Sequence, residues 1–346
     1  MNADIALILA QDGVVNGAIY ALVALALVLV YAVTRVIFIP QGELVAFGAL
    51  SLASLQLGKV PATAWLLLVI GASVAIIELY GAVRSRSTSL ALRAIGWNLV
   101  LPGAVVVLAF WLAPQKPALW IQMLLTIGLV VPLGPMTYRL AYQPIANASI
   151  LSLLIVSVAV HFVYVGLGLV FFGAEGSRTT PIVDAQFKLG AMTVSAQSLW
   201  VLGASLVIIA ALYLFFERTI HGKALRATAV NRVGARLVGI SATFAGKLSF
   251  GLAALMGVVS GMLISPITTI YYDTGFLIGL KAFVAAIIGS LVSYPVAALG
   301  ALLVGLLESF SSFWASAFKE VIVFTLIIPV LLWRSLTSRV IEEEED

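Results

Sequence analysis

Apolar positions in this chain run on without alternation, and the runs are long. One spans Val14 to Val33. Others cover 42–57, 64–83, 96–113, 119–138, 150–172, 197–216, 245–265, 278–292, 294–310 and 320–334. A helix needs about 20 mostly apolar residues to cross the hydrocarbon layer of a bilayer. Strands of a membrane barrel would alternate apolar and polar residues, so continuous runs predict helices. A helix also satisfies its own backbone hydrogen bonds, which lipid cannot do for it. The pattern predicts an all-α, polytopic transmembrane bundle of about 10–11 spans. The segments within 278–310 are short and broken by glycine, so ten spans or a re-entrant pair is the alternative to eleven. Residues 1–346 read as a single transmembrane domain.

Two polar excursions interrupt the runs. The first, 173–196, contains Gly173, Gly176, Pro181 and Gly190 and reads as a loop or short re-entrant element. The second, 217–244, has few breakers between Lys223 and Val238 and is rich in alanine, leucine and arginine, which predicts a helix. Val230, Val233, Leu237 and Ile240 recur at helical spacing and form an apolar stripe. Arg232 and Arg236 are four apart and project from one face. An amphipathic helix in such a loop either lies on the membrane or docks a partner.

Composition agrees with the runs: 62% of the 346 residues are apolar and 10% are charged. A soluble domain is nearer half apolar and a quarter charged. Lysine and arginine mark cytoplasmic loops. The most basic loop carries Arg218, Lys223, Arg226, Arg232, Arg236 and Lys247, and is placed inside. Alternation then puts Arg35, Arg84, Arg86, Arg93 and Arg139 inside too, along with Arg334 and Arg339. The N-terminus, with Asp4 and Asp12, falls outside and the C-terminus inside. Met1-Asn2-Ala3-Asp4 lacks a basic leader, so the first span is expected to act as its own insertion signal. The tail 335–346 ends in Glu342–Glu345 and Asp346 and is expected to be a solvated cytoplasmic segment. The net charge of +4 gives no indication of nucleic acid, because cytoplasmic loops are basic anyway.

Catalytic chemistry is not expected. The chain has no cysteine, and no glycine-rich loop ends in Lys-Ser or Lys-Thr. His161 and His221 are far apart in sequence and make no metal motif; His161 reads as a packing residue with one hydrogen bond. Ionisable residues inside spans are costly and therefore candidates for function. They are Glu43, at the start of the second run, Glu78, Lys281 and Glu308. Each stands near a run's end, where a long side chain reaches the interface, and Lys281 and Glu308 are placed to pair. Gly257 with Gly261, and Gly275 with Gly279, have the spacing that lets helices approach closely.

Several short motifs together resemble one family. Gly17-Ala18-Ile19-Tyr20-Ala21-Leu22, then Arg35-Val36-Ile37 and Gly42-Glu43-Leu44, resemble the opening of the branched-chain amino-acid (Liv-type) ABC transporter permeases. Tyr142-Gln143-Pro144-Ile145 with Asn147-Ala148-Ser149 is similar to that family's basic loop. The strongest likeness runs from Gly222-Lys223-Ala224-Leu225-Arg226-Ala227-Thr228-Ala229 through Asn231, Ala235, Arg236, Leu237, Gly239 and Ile240. Gly279-Leu280-Lys281-Ala282-Phe283 and Gly305-Leu306-Leu307-Glu308 resemble two late motifs. The family usually has histidine where Gln41 stands and a second basic residue where Gln143 stands. The likeness spans nearly the whole chain except about 80–130, which adds two spans to the usual pattern.

The resemblance implies an importer subunit of the bacterial cytoplasmic (inner) membrane. Such permeases pair with a second, related permease or with a copy of themselves. Two cytoplasmic ATPase subunits carry the ATP, and a periplasmic binding protein delivers branched-chain amino acids or other small solutes. No cofactor and no metal are then expected on this chain. The loop 217–244 would hold the coupling helix, with Arg226, Ala229, Arg232, Arg236 and Gly239 meeting the ATPase. Gln41, Glu43 and Lys281 would line the translocation pathway between alternating outward and inward states. An ion-coupled secondary transporter or channel is the rival, and it would need buried carboxylates.

Overall fold

The computed structural model describes residues 3–189 and 192–337. The chain folds as an all-α bundle, and each of the eleven apolar runs becomes helix. First come α1 (Ala3–Thr34), α2 (Gln41–Gln56), α3 (Thr63–Arg84), α4 (Thr88–Ile95) and α5 (Leu101–Leu112). α6 (Leu119–Val130), α7 (Leu133–Thr137), α8 (Ile150–Phe172) and α9 (Ala196–Arg218) follow. Two short helices come next, α10 (Ile220–Val230) and α11 (Arg232–Leu237). The chain closes with α12 (Ala242–Ile264), α13 (Thr274–Ile288), α14 (Tyr294–Trp314), α15 (Lys319–Thr325) and α16 (Ile327–Thr337).

Among the described residues nine helical stretches are long and apolar enough to cross a membrane. α4 and α5 form one of them, joined by a π-helical turn at Gly96–Val100. α6 and α7 lead into a second π-helical turn at Tyr138–Tyr142 and form another. The remaining two runs are α2 and α13, of 16 and 15 residues, or about 24 and 22 Å of helix. A full crossing needs about 30 Å. These two are short because they are wrapped by protein: every α2 residue from Gln41 to Ala53 is buried.

α1 is the mast of the bundle, largely apolar and enclosed by α14, α12 and α13. Gly13 and Gly17 set it directly against the backbone of α14 near Leu302 and Leu306. Gly257 and Gly261 of α12 meet α2, and Gly275 and Gly279 of α13 meet Gly42 of α2. Both glycine pairs singled out by spacing therefore make close helix contacts.

The excursion 173–196 departs from the loop or re-entrant expectation. It holds a β-hairpin, β1 (Gln186–Leu189) against β2 (Met192–Ser195), antiparallel with Phe187 opposite Val194. Phe187 and Val194 are residue types that favour strands. Ser177 bridges to Ile270, and Arg178 donates to the carbonyls of Pro266 at 2.9 Å and Ile267 at 2.7 Å. The acidic residues of the tail lie outside the described residues.

Candidate functional site

α9 runs from the hairpin at one end of the bundle to α10 at the other. The candidate residues divide between these ends and the buried middle.

At the hairpin end a cavity of about 500 Å³ opens beside α1, lined by Asp12, Asn16, Tyr20, Lys281, Glu308 and Glu320 among others. Lys281 is at its centre. Its Nζ lies 2.5 Å from Glu308 Oε1 and 3.1 Å from Glu320 Oε1. The Tyr20 hydroxyl donates to Glu308 Oε2 at 2.5 Å, and the Lys281 ammonium lies 5.9 Å from the Tyr20 ring centre. The pairing of Lys281 with Glu308 is thus present and mostly enclosed. Tyr20 and Glu320 complete it, and neither stood out in the sequence. Asp12, Asn16 and Tyr20 follow one another at four-residue spacing, a short polar stripe on α1 that marks the cavity face. Val15, Ile264 and Leu277 supply apolar wall to the same cavity. It therefore offers two cations, Lys281 and Lys319, three carboxylates and hydrocarbon surface within one space.

Gln41 and Glu43 are not part of that cavity. They open α2 in the buried middle and are both fully enclosed. Gln41 Nε2 donates to the Ala253 carbonyl at 2.8 Å. Glu43 Oε1 lies 2.8 Å from His161 Nδ1, and the His161 ring packs on Phe276 with centroids 4.5 Å apart. Glu43 does not snorkel to an interface, because Gly42 presses its turn against Gly275 and leaves no route out. Gln41 Oε1 and Glu43 Oε2 have no hydrogen-bond partner among the described residues. His161 makes its one hydrogen bond, as expected, and its partner is the Glu43 carboxyl of α2.

At the opposite end, α10 and α11 form an elbow rather than the single helix expected across 223–238. The break is Asn231, which takes an extended backbone conformation and accepts the Gly234 N–H at 2.8 Å through its side chain. Asparagine competes with helical hydrogen bonding and favours caps, so a new helix starts there. Thr219 caps α10 in the same way, accepting from Gly222 N at 2.9 Å. Leu225 is buried with Leu29, Val33 and Phe216, which anchors the elbow to the end of α1. Val230 is 83% exposed and Leu237 84%, with Val233 and Val238 exposed beside them. Three of the four stripe residues therefore face away from the bundle, while Ile240 is half-buried.

The break also parts the two arginines. Arg232 is half-buried, and its Nη1 donates to the Ala146 carbonyl at 3.3 Å. Desolvation lowers its pKa from the ordinary arginine value, and nearby Arg236 and Arg35 act in the same direction. Arg236 is exposed with no ion pair among the described residues. Arg226 is exposed and pairs with Glu217 at 2.8 Å. Ala229 is half-buried against the α1 end. Gly239 has φ +88°, a left-handed turn that closes α11.

Glu78, near the same end, is a hub. Lys247 Nζ lies 2.7 Å and Arg139 Nε 3.5 Å from its Oε1, while Asn98 donates to its Oε2 at 2.9 Å. Sequence spacing gives no sign of this, since the four residues come from four separate segments.

Residues 9–331 match a family described as the permease component of the branched-chain amino acid transport system. The chain is 27% identical over 338 residues to the high-affinity branched-chain amino acid transport system permease protein LivH of Salmonella typhimurium, covering 93% of this chain and 91% of the relative. It is 27% identical over 340 residues to LivH of Escherichia coli (strain K12), with 93% and 91% covered. The permease protein BraD of Pseudomonas aeruginosa is 28% identical over 203 residues, 57% of this chain and 66% of that one. No solved structure matches the chain.

Proposed function

The chain belongs to the family of permease components of branched-chain amino acid transport systems, and on that premise we propose that it is the membrane-spanning subunit of an ATP-driven importer. Its cargo is a branched-chain or related amino acid, or another small solute. Two cytoplasmic ATPase subunits drive it, a second permease completes the pathway, and a binding protein presents the solute outside. The chain resides in the bacterial inner membrane with the elbow end inside, where the basic loops cluster.

The observation that carries this reading is the elbow. Val230, Val233 and Leu237 of its apolar stripe point out of the bundle, joined by Val238, with exposed Arg226 and Arg236 on the same element. A helix pair that is anchored at its base and bare at its crest suits a groove in a partner. The arginines are placed to meet carboxylates there. Arg232, held against Ala146, then positions the elbow and does not itself meet the ATPase. ATP binding moves the elbow, and helix contacts carry that motion to the cavity at the other end. The cavity suits a zwitterion with an aliphatic side chain, since it presents Lys281, carboxylates and apolar wall together.

The expected outcome for Arg236→Glu is a correctly inserted permease that recovers at least about tenfold less ATPase in a mild-detergent pull-down, because an attractive pair becomes a repulsive one. Uptake falls in parallel. Unchanged ATPase recovery and uptake would rule out the elbow as the coupling element.

One observation favours a second reading, an ion-coupled transporter or channel: the enclosed Glu43 carboxylate with an unpartnered oxygen beside His161. Proteoliposome uptake separates the two. Uptake that requires ATP and survives an ionophore supports the importer, whereas uptake that needs an ion gradient and no nucleotide supports the rival.

A further inference from the structure

A second cavity, of about 1040 Å³, opens on the flank of the bundle near the elbow end, between α3, α4, α5, α7 and α12. Its walls are mainly hydrocarbon and reach the surface through exposed Ile77, Trp97, Leu101 and Phe244. Its polar residues gather around Glu78. Arg139 and Lys247 share that one carboxylate, and Arg93 is exposed at the rim with no ion pair among the described residues. Three cations thus face a single carboxylate, and positive charge is left over in an apolar setting.

Both π-helical turns border this cavity. Gly96–Val100 brings Trp97 and Asn98 to it, and Tyr138–Tyr142 brings Arg139. Such turns recur at functional sites because the extra residue re-aims side chains and spoils regular packing. The solute cavity lies toward the hairpin end and involves none of these residues. The second cavity is therefore a separate site.

We propose that this cavity binds one anionic phospholipid. Its phosphate rests on Arg93, Arg139 and Lys247, and its acyl chains lie along Ile77, Trp97, Leu101 and Phe244. A small inorganic anion would satisfy the cations but leave the volume between the apolar walls unfilled. A zwitterionic lipid would cover the walls but bring its own cation to a site already positive. An anionic lipid satisfies both, and basic pockets between helices on the cytoplasmic side are where such headgroups bind.

The test is native mass spectrometry of the full chain in mild detergent, titrated with phosphatidylglycerol, phosphatidylcholine and inorganic phosphate. Each basic residue near an anionic headgroup contributes about 1 kcal/mol, or about fivefold in affinity. The expected result is a single retained lipid, with phosphatidylglycerol preferred at least about fivefold over phosphatidylcholine. Arg93→Gln, a change at an exposed unpaired side chain, is expected to cut that preference about fivefold. Equal affinity for the two lipids in the unaltered chain overturns the proposal, whatever the variant does. So does a preference unchanged in Arg93→Gln, or displacement of phosphatidylglycerol by equimolar inorganic phosphate.

Discussion

Replacing Lys281 by methionine is expected to abolish solute uptake and to destabilise the folded chain by about 3–5 kcal/mol. Lys281 holds Glu308 at 2.5 Å and Glu320 at 3.1 Å, and its side chain is 6% exposed. Removing it leaves the Glu308 carboxylate enclosed with only the Tyr20 hydroxyl to answer it. An uncompensated enclosed charge is one of the few single changes with so large an effect. Stability and transport are separable here. In Lys281→Met with Glu308→Met the enclosed carboxylate is gone, Glu320 is about a third exposed and keeps Lys319 at 4.0 Å, and apolar replacement of a buried pair is often neutral or stabilising. The double variant is expected to recover most of the lost melting temperature, followed by tryptophan fluorescence in detergent, while solute uptake stays absent. Uptake at the original rate in the double variant would reduce the cluster to a structural fastener and remove it from the pathway.

The second large effect is expected at Gly42. A Cβ built there would overlap the Gly275 carbonyl and lie 3.2 Å from the Gly279 Cα, so α2 and α13 would have to part. All three obstructing atoms are backbone, and no rotamer change relieves them. Overpacking a tight interior costs about 1–3 kcal/mol even where side chains give way, and more where backbone must move. Gly42→Ala is expected to lower the yield of monodisperse protein sharply, read by fluorescence-detected size-exclusion chromatography across a temperature series. Gly166→Ala in α8 is the matched control, because its Cβ meets nothing within 4 Å. There alanine should be neutral or stabilise by about 0.5–1 kcal/mol through its better helix propensity. Equal behaviour of the two variants would show that the α2–α13 contact is not tight.

Much of this architecture was legible from hydropathy because lipid enforces it: an apolar run must become helix. Hydropathy reports what a segment is made of and not where its ends go, so α2 and α13 read as spans although they stop short. The Lys281–Glu308 pair was legible from two charges placed toward one side. Tyr20 was legible only in part: it continues the four-residue spacing of Asp12 and Asn16, but that short polar stripe is set in an otherwise apolar helix. Asn231 stands between good helix formers, and propensity alone carries a helix through it. Only the cap it gives to Gly234 splits the element and turns Arg232 inward while Arg236 stays out. The Glu78 hub was beyond reach, because Asn98, Arg139 and Lys247 are brought to it by a fold that no local pattern specifies.

The position of α1 bears on how the chain is made. It is synthesised well before α14, which covers the surface that Gly13 and Gly17 present. The Tyr20–Glu308 bond spans 288 residues of sequence. During translation α1 must wait in lipid, its apolar sides sheltered by acyl chains in place of its eventual neighbours. Lipid is as apolar as those neighbours, so the delay costs α1 little. Closure comes with late arrival of small residues that fit where lipid tails cannot. The biogenesis of this permease is thus a displacement of lipid by the C-terminal helices, and a chain arrested before Tyr294 would be inserted but not yet folded.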